Sequence, residues 1–497
     1  MKFILTLTML FFCINLFAQK NNDINFKEYI PSGIQVSISK GSNLVQGKKI
    51  AYTTHTGYLN LQNDSGKLIA KIFFTYYKKD TAELTKRPIC FTFNGGPGSS
   101  SVWLHMGGLG PKMVALQTDG TATPPPYNII NNEYSWLDKT DLVFIDPVAT
   151  GYSRAAPGES QKQFHGYVED VQTTAAFIRH FLSKYERWGS PKFIAGESYG
   201  TTRAAGLSKY LQDNYRIFFN GIFLISPVLN FGTNDYYIGN DLPRALYLPS
   251  YTAAAWYHKK LAPNLQANLQ AALKESETFA LGIYASALLK GGWLSETEKN
   301  SIAEKMSYYT GLSKTYCMQA NIRVDENRFY KELRRTDGLT IGRLDARFTG
   351  QDIDDAGENV SYDPSFTNID GPFTSAINDY FIKDLNFKED KPYNIFGNVY
   401  PWNYNNVQNQ FLNVGESLRD AMTKNPALKV YVGSGYYDFA TPYFTAAYDI
   451  EHLFLRPNIR QNIKHYFYTS GHMYYINKPD LIKFKNDIDA FFEFSSK

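Results

Sequence analysis

The stretch Lys192-Phe-Ile-Ala-Gly-Glu-Ser-Tyr-Gly200 constrains this chain more than any other. An apolar run ends in Gly196-x-Ser198-x-Gly200, and a helical pattern from Thr201 to Leu211 follows. A serine hydroxyl is presented at so tight a strand-to-helix turn only if the residues two before and two after it are small, because strand and helix cross there. The bare glycine–serine spacing is a weak pattern; the flanking strand and helix give it content. A serine in that position needs a base and a group that orients the base.

The rest of the chain supplies the layers such a turn belongs to. Residues 50–77 alternate apolar and polar around Asn63-Asp64-Ser65-Gly66, which predicts a two-strand hairpin. Short apolar runs then recur at Pro88–Phe93, Asp141–Ile145, Lys192–Ala195, Gly221–Ile225, Lys429–Val432 and His465–Tyr468. They are bounded by Gly, Pro or Asp and read as strands buried on both faces of a parallel sheet. Val168, Val171, Ala175, Ile178 and Leu182 form one apolar helical stripe. Further helices are expected after Gly200 and over Pro479–Phe492. Alternating strand and helix predicts an α/β fold with a mostly parallel central sheet flanked by helices.

Residues 231–425 differ, being helix-rich and poor in strand signals. Ser295-Glu-Thr-Glu298 is a capping-box pattern. Pro372 is expected to open a helix toward Leu385, and helical signals resume over Asn409–Lys424. The organisation expected is a core of residues 27–230 and 426–497 with 231–425 inserted as a cap. The aromatic run from Tyr236 to Tyr257 suits either a cleft lining or packing under that insertion.

His472 follows the strand run ending at Tyr468, and Asp438 follows the run ending at Val432. The order serine, acid, histidine, each on a loop after a strand, is the one this fold class uses. His55 and His105 precede the serine, while His180 and His465 lie inside regular elements. The glycine-rich Asn94-Gly-Gly-Pro-Gly98 follows another strand and exposes backbone N–H groups; with no Gly-Lys-Ser/Thr it suits an oxyanion better than a nucleotide phosphate. Asp146 precedes the serine and is read as structural.

Together these segments resemble the serine carboxypeptidases of the α/β-hydrolase fold. The matching pieces are Asn94–Gly98, Leu109-Gly-Pro111, Phe144-Ile-Asp-Pro147 with Gly151-Tyr-Ser153, Gly196–Gly200, Gly433–Asp438 and Gly471-His-Met473. The resemblance implies a nucleophile at Ser198, a base at His472 and an orienter at Asp438. It implies oxyanion donors at Gly96 and Tyr199, and a site for the substrate's C-terminal carboxylate at Asn94, Gly95 and Glu197. Its reaction releases C-terminal residues from peptides through an acyl-enzyme, with no cofactor and no metal. Glu197 binds a carboxylate only when protonated, which favours acid pH, whereas protonated His472 is no base. Ser99 stands where the family usually has a disulfide cysteine, and Gly108 where it often has a glutamate beside the carboxylate site. The same triad would serve an esterase or acyltransferase, and a non-catalytic binding protein on this scaffold is the reading from another class.

Composition narrows the partners. The 497 residues carry 51 basic and 47 acidic side chains, a formal charge of +4, too balanced to imply nucleic acid. Met1-Lys2 followed by an apolar run to Ala18 reads as a secretory signal peptide over residues 1–18. That implies a bacterial-type exported member, periplasmic or secreted, with no membrane attachment once the leader is removed. Cys13 leaves with the leader, and Cys90 and Cys317 are expected as buried thiols rather than a bridge. Asp352-x-Asp354-x-x-Gly357, ending at Asp363, only faintly resembles a calcium loop, because its fifth position is Ala356 and its twelfth is Asp.

Overall fold

A computed structural model describes residues 36–81 and 83–496; the expected leader, residues 1–18, lies outside the described residues. The central sheet is built from β1 (Val36–Val45), β2 (Lys48–Gln62), β3 (Leu68–Lys79), β4 (Ile89–Phe93), β5 (Asp141–Ile145), β6 (Lys192–Ser198), β7 (Gly221–Pro227), β8 (Lys429–Gly435) and β9 (Ile463–Tyr468). Its spatial order is β1-β2-β3-β5-β4-β6-β7-β8-β9. The first three strands and β5 pair antiparallel in sequence across the sheet. From β5 to β9 every pairing is parallel. This is the α/β-hydrolase arrangement of a mostly parallel sheet.

The parallel strands are apolar because helices cover both faces. On one face α1 (Tyr167–Lys184) and α2 (Tyr199–Tyr215) bury Val171, Ala175, Ile178, Leu207 and Leu211 against Ile194, Ile222 and Val430. On the other, the C-terminal helix Lys478–Ser495 buries Phe484, Ile488 and Phe491 against Phe193, Phe223 and Tyr431. The parallel register brings the C-terminal ends of β4, β6, β8 and β9 to one edge, where crevices form at such sheets.

Residues between β7 and β8 are largely helical, and they divide between two cores. A stretch from Ala245 to Ala346 packs its own cluster, including Tyr247, Tyr251, Phe329 and Tyr330. The aromatic run over 236–257 is therefore mainly packing within the insertion. The helix Pro364–Lys383, in contrast, joins the core of the sheet through Ile369, Phe373, Ile377 and Tyr380.

Two helix expectations need correction. Pro372 does not open a helix but lies inside Pro364–Lys383. Asp363 caps that helix by accepting from the Ser365 N–H, and Pro364 takes the first-turn position where a missing N–H costs nothing. Burial of Pro372 and Phe373 in the sheet core offsets the interior proline. The later helix spans Gly415–Lys424, because the Asn413 side chain accepts from the Gly415 N–H and Leu412 bonds back to Phe231. The capping box forms as expected: Ser295 accepts from Glu298 N–H, and Glu298 accepts from the Ser295 N–H. Cys90 and Cys317 are both buried and free. No helix among the described residues is long and apolar enough to cross a membrane.

Candidate active site

Ser198 ends β6 with φ 59° and ψ −130°, a conformation unusual for a residue with a side chain. The flanking glycines are a steric requirement. A Cβ on Gly196 would stand 2.1 Å from the Gly200 carbonyl oxygen. The loop after β4 presses against the same turn, since a Cβ on Gly95 would stand 2.4 Å from the Tyr199 nitrogen. Gly96, beside it, takes φ +102°, so the loop folds tightly over the turn. Ser198 opens into a cleft of about 630 Å³ that Asn94, Gly95, Gly96, Glu197 and His472 also line. Trp103, Phe366, Ile369 and Phe396 form its apolar wall.

His472 and Asp438 meet behind the serine. The His472 Nδ1 lies 2.7 Å from Asp438 Oδ2, with both side chains buried. Asp438 also accepts from the Ala440 N–H at 2.8 Å, the Thr441 N–H at 3.0 Å and the Thr441 hydroxyl at 2.9 Å. A carboxylate so supplied with donors keeps the histidine proton on Nδ1 and leaves Nε2 as the acceptor. Ser226 donates to the His472 carbonyl at 2.6 Å and fixes the loop from the β7 side. Burial depresses the imidazole's proton affinity, but the Asp438 carboxylate, helped by Glu197, more than offsets it and raises the pKa above 6.5. His465 bonds Ser434 and His105 bonds Tyr77, so neither competes for Asp438.

Glu197 is buried beside the serine, and burial pushes its carboxyl up to about 7. The charge on His472 and a hydrogen bond from the Tyr475 hydroxyl restrain that rise. Tyr475 is fully buried, and its ring occupies the space above two glycines: a Cβ would stand 2.6 Å from the ring at Gly107 and 3.1 Å from Tyr475 Cβ at Gly108. Tyr475 was not among the residues expected from sequence; only the paired glycines Gly107-Gly108 hint at a ring packed over them. The Asn94 side chain lies next to Glu197, and its hydrogen bond to that carboxyl also restrains the rise; its Oδ1 accepts from Leu104 N–H at 3.0 Å. Behind the loop, Arg203 on α2 pairs with Asp170 at 2.7 Å and donates to the Asn94 carbonyl at 2.7 Å. That tether from helix to loop also escaped sequence reading.

Ser198, Asn94, Gly95, Gly96, Glu197 and His472 thus share one cleft, with Asp438 buried behind the histidine. Tyr199 contributes its backbone at the turn, and its hydroxyl accepts from Trp402 at 3.1 Å. Asp146 accepts from the Ser101 N–H and hydroxyl, 2.8 and 2.7 Å, which anchors the segment after the glycine loop. No group of three or more metal-ligating side chains occurs among the described residues. Asp352, in the faint calcium-loop pattern, pairs with Lys331 at 2.7 Å.

The sequence profile of the serine carboxypeptidases matches residues 45–474. Over 211 residues, 42% of this chain and 41% of the relative, it is 24% identical to serine carboxypeptidase 24 of Arabidopsis thaliana. Over 187 residues, 37% of this chain and 16% of the relative, it is 29% identical to carboxypeptidase Y of Schizosaccharomyces pombe. The chain therefore spans less than half the length of these relatives. Among solved structures it is similar to Kex1(Δ)p, a prohormone-processing carboxypeptidase from Saccharomyces cerevisiae, with a TM-score of 0.55 and 16% identity, covering 88% of this chain and 91% of that one. That likeness concerns the fold.

Proposed function

We propose that this chain, which belongs to the serine carboxypeptidase family, releases C-terminal residues from peptides through an acyl-enzyme. The observation that carries the reading is the 2.7 Å contact of His472 with the fully buried Asp438, in a cleft shared with the strained Ser198. In this reading His472 Nε2 takes the Ser198 proton, and the serine oxygen attacks the scissile carbonyl. The imidazolium then returns that proton to the leaving amine, and water repeats the sequence to free the acyl group. The N–H groups of Gly96 and Tyr199 meet the oxyanion. The C-terminal carboxylate lies at Asn94, Gly95 and Glu197. A buried Glu197 whose proton is retained to about pH 7, with the Asn94 side chain beside it, supports that placement. The leader expected over residues 1–18 would carry the protein to the periplasm or out of the cell.

One experiment tests the assignment at two points. Ser198→Ala should abolish both peptide hydrolysis and labelling by a serine-directed fluorophosphonate, and retained turnover would refute the nucleophile. With the wild-type protein, amidated peptides should be cleaved far more slowly than the free acids. Equal rates would instead favour an esterase or acyltransferase, and absence of any labelling would favour a binding protein.

A further inference from the structure

Asp438 and His472 stand on separate loops, after β8 and β9, so the sheet alone does not fix their contact. One short segment of the insertion bonds to both loops. On the histidine side the Leu344 carbonyl accepts from the His472 N–H at 2.6 Å, and Asp345 Oδ2 accepts from the Gly471 N–H at 2.8 Å. On the aspartate side the Arg343 carbonyl accepts from the Phe439 N–H at 3.1 Å, and the Ala346 N–H donates to the Tyr437 carbonyl at 2.9 Å. The fit leaves no slack: a Cβ on Gly471 would stand 2.2 Å from the Leu344 oxygen and 2.5 Å from Asp345 Cα.

Asp345 is the charged centre of this brace. It is buried, and its carboxylate is gripped from within the segment by Arg347, with Nε at 2.9 Å from Oδ1, Nη2 at 2.7 Å from Oδ2, and the Arg347 N–H at 3.0 Å. The bidentate grip fixes the direction of the carboxylate and hence the position of the Gly471 amide it holds. Outside the segment, Leu344 N–H donates to Ser365 and Arg343 N–H to Asp363, so the brace is anchored on the helix that packs into the sheet core.

We propose that Asp345 is a positioning residue, setting the His472 ring against Asp438 by holding the preceding amide. The proposal rests on the reading of His472 as base, and it makes catalysis depend on the insertion as well as on the sheet. A ring displaced by a fraction of an ångström loses reactive geometry without losing the substrate site.

The test uses the full chain and an activated ester, whose hydrolysis needs the triad but no C-terminal carboxylate. Wild-type protein must first hydrolyse the ester and take the fluorophosphonate; an inert wild type would refute the triad reading and the brace with it. In Asp345→Ala, kcat should fall on the order of 10- to 100-fold with KM changed less than about threefold. The acid limb of the kcat profile should also move to lower pH. Asp438, Glu197 and Arg343 are the charges that act on His472, and a ring loosened from Asp438 loses the largest of the influences that raise its proton affinity. Mere loss of folded protein would scale the profile without moving the limb. Asp352→Ala, which breaks the comparably buried Lys331–Asp352 pair elsewhere in the insertion, serves as control and should leave the limb in place. Should the alanine variant not fold, Asp345→Asn keeps an acceptor for Gly471 but weakens the Arg347 grip, and a smaller fall with the same displacement is expected. Wild-type kcat and an unmoved limb in the folded variant would overturn the proposal, as would an equal displacement in Asp352→Ala.

Discussion

Tyr475→Phe is the sharpest perturbation of the carboxylate site, because it removes one hydroxyl and keeps the ring over Gly107 and Gly108. That hydroxyl donates to Glu197 and favours its ionised form. Hydrogen bonds to charged groups contribute about 1.5–3 kcal/mol, and 1.36 kcal/mol is tenfold in proton affinity. Removing the donor therefore raises the proton affinity of Glu197 about tenfold or more. Starting from about 7, roughly one molecule in eleven has a neutral Glu197 at pH 8; after a tenfold change roughly half do. Under the proposed roles, kcat/KM for a free-acid peptide at pH 8, taken relative to pH 5, should rise about fivefold, and its alkaline limb should move up by about one pH unit. Amidated peptides, which make no use of a carboxylate site, should show no such rise at pH 8. The assay is kcat/KM for a blocked dipeptide as acid and as amide between pH 4 and 9. A limb that stays put, or moves toward acid, would refute the argument.

Asp449 is buried, and burial pushes its carboxyl up to about 8 although the Thr233 hydroxyl and the Asn230 backbone N–H both donate to it. Its folded pKa lies above the unfolded value, so its stabilising proton is fully held below about pH 4 and lost as pH rises through 8. Asp449→Asn should raise Tm at pH 8, by at most about 5 kcal/mol of stability, and change little at pH 4; an equal effect at both would contradict the assignment. Gly196→Ala should destabilise by about 3 kcal/mol or more in denaturant unfolding, since its Cβ meets backbone at 2.1 Å. Gly282→Ala, with open space around it, should cost nothing; equal stabilities would show that the turn yields.

The strands at the centre of the sheet were legible because burial on both faces leaves only apolar, β-branched and aromatic residues there. Asp141–Ile145 reproduces the expected run residue for residue, and Lys192–Ser198 extends it only by continuing through the turn. Val36–Val45 was not legible. As the sheet's edge it keeps Ile38 and Leu44 exposed and carries Gly41 against the Tyr52 ring, so neither a hydrophobic run nor a clean alternation marks it. Pro372 misled for a related reason: local proline rules favour a helix start, and the packing of Phe373 and Ile369 overrode them. In the cleft, residues with chemical signatures in sequence stand together around Ser198. Those without one, Tyr475, Arg203 and Asp345, act across 278, 109 and 126 residues of chain, distances at which no motif operates.

The conflict between a protonated Glu197 and an unprotonated His472 takes a different form once their mutual field is considered. Each favours the charged form of the other: His472 restrains the rise in Glu197, and Glu197 adds to the rise in His472. Their protonation is therefore linked, and two arrangements share a single proton between them. With the proton on His472 the pair is an internal ion pair and the base is blocked. With it on Glu197 the carboxyl can donate and Nε2 is free. Under the proposed roles a substrate carboxylate entering beside Glu197 repels the first arrangement and accepts a hydrogen bond from the second. Binding a free C-terminus would then draw the proton onto Glu197 and release the base in the same step, which an amidated or esterified end cannot do. Selectivity for free C-termini would then appear in kcat as well as in KM, and a preference confined to KM would show that the pair is not coupled in this way.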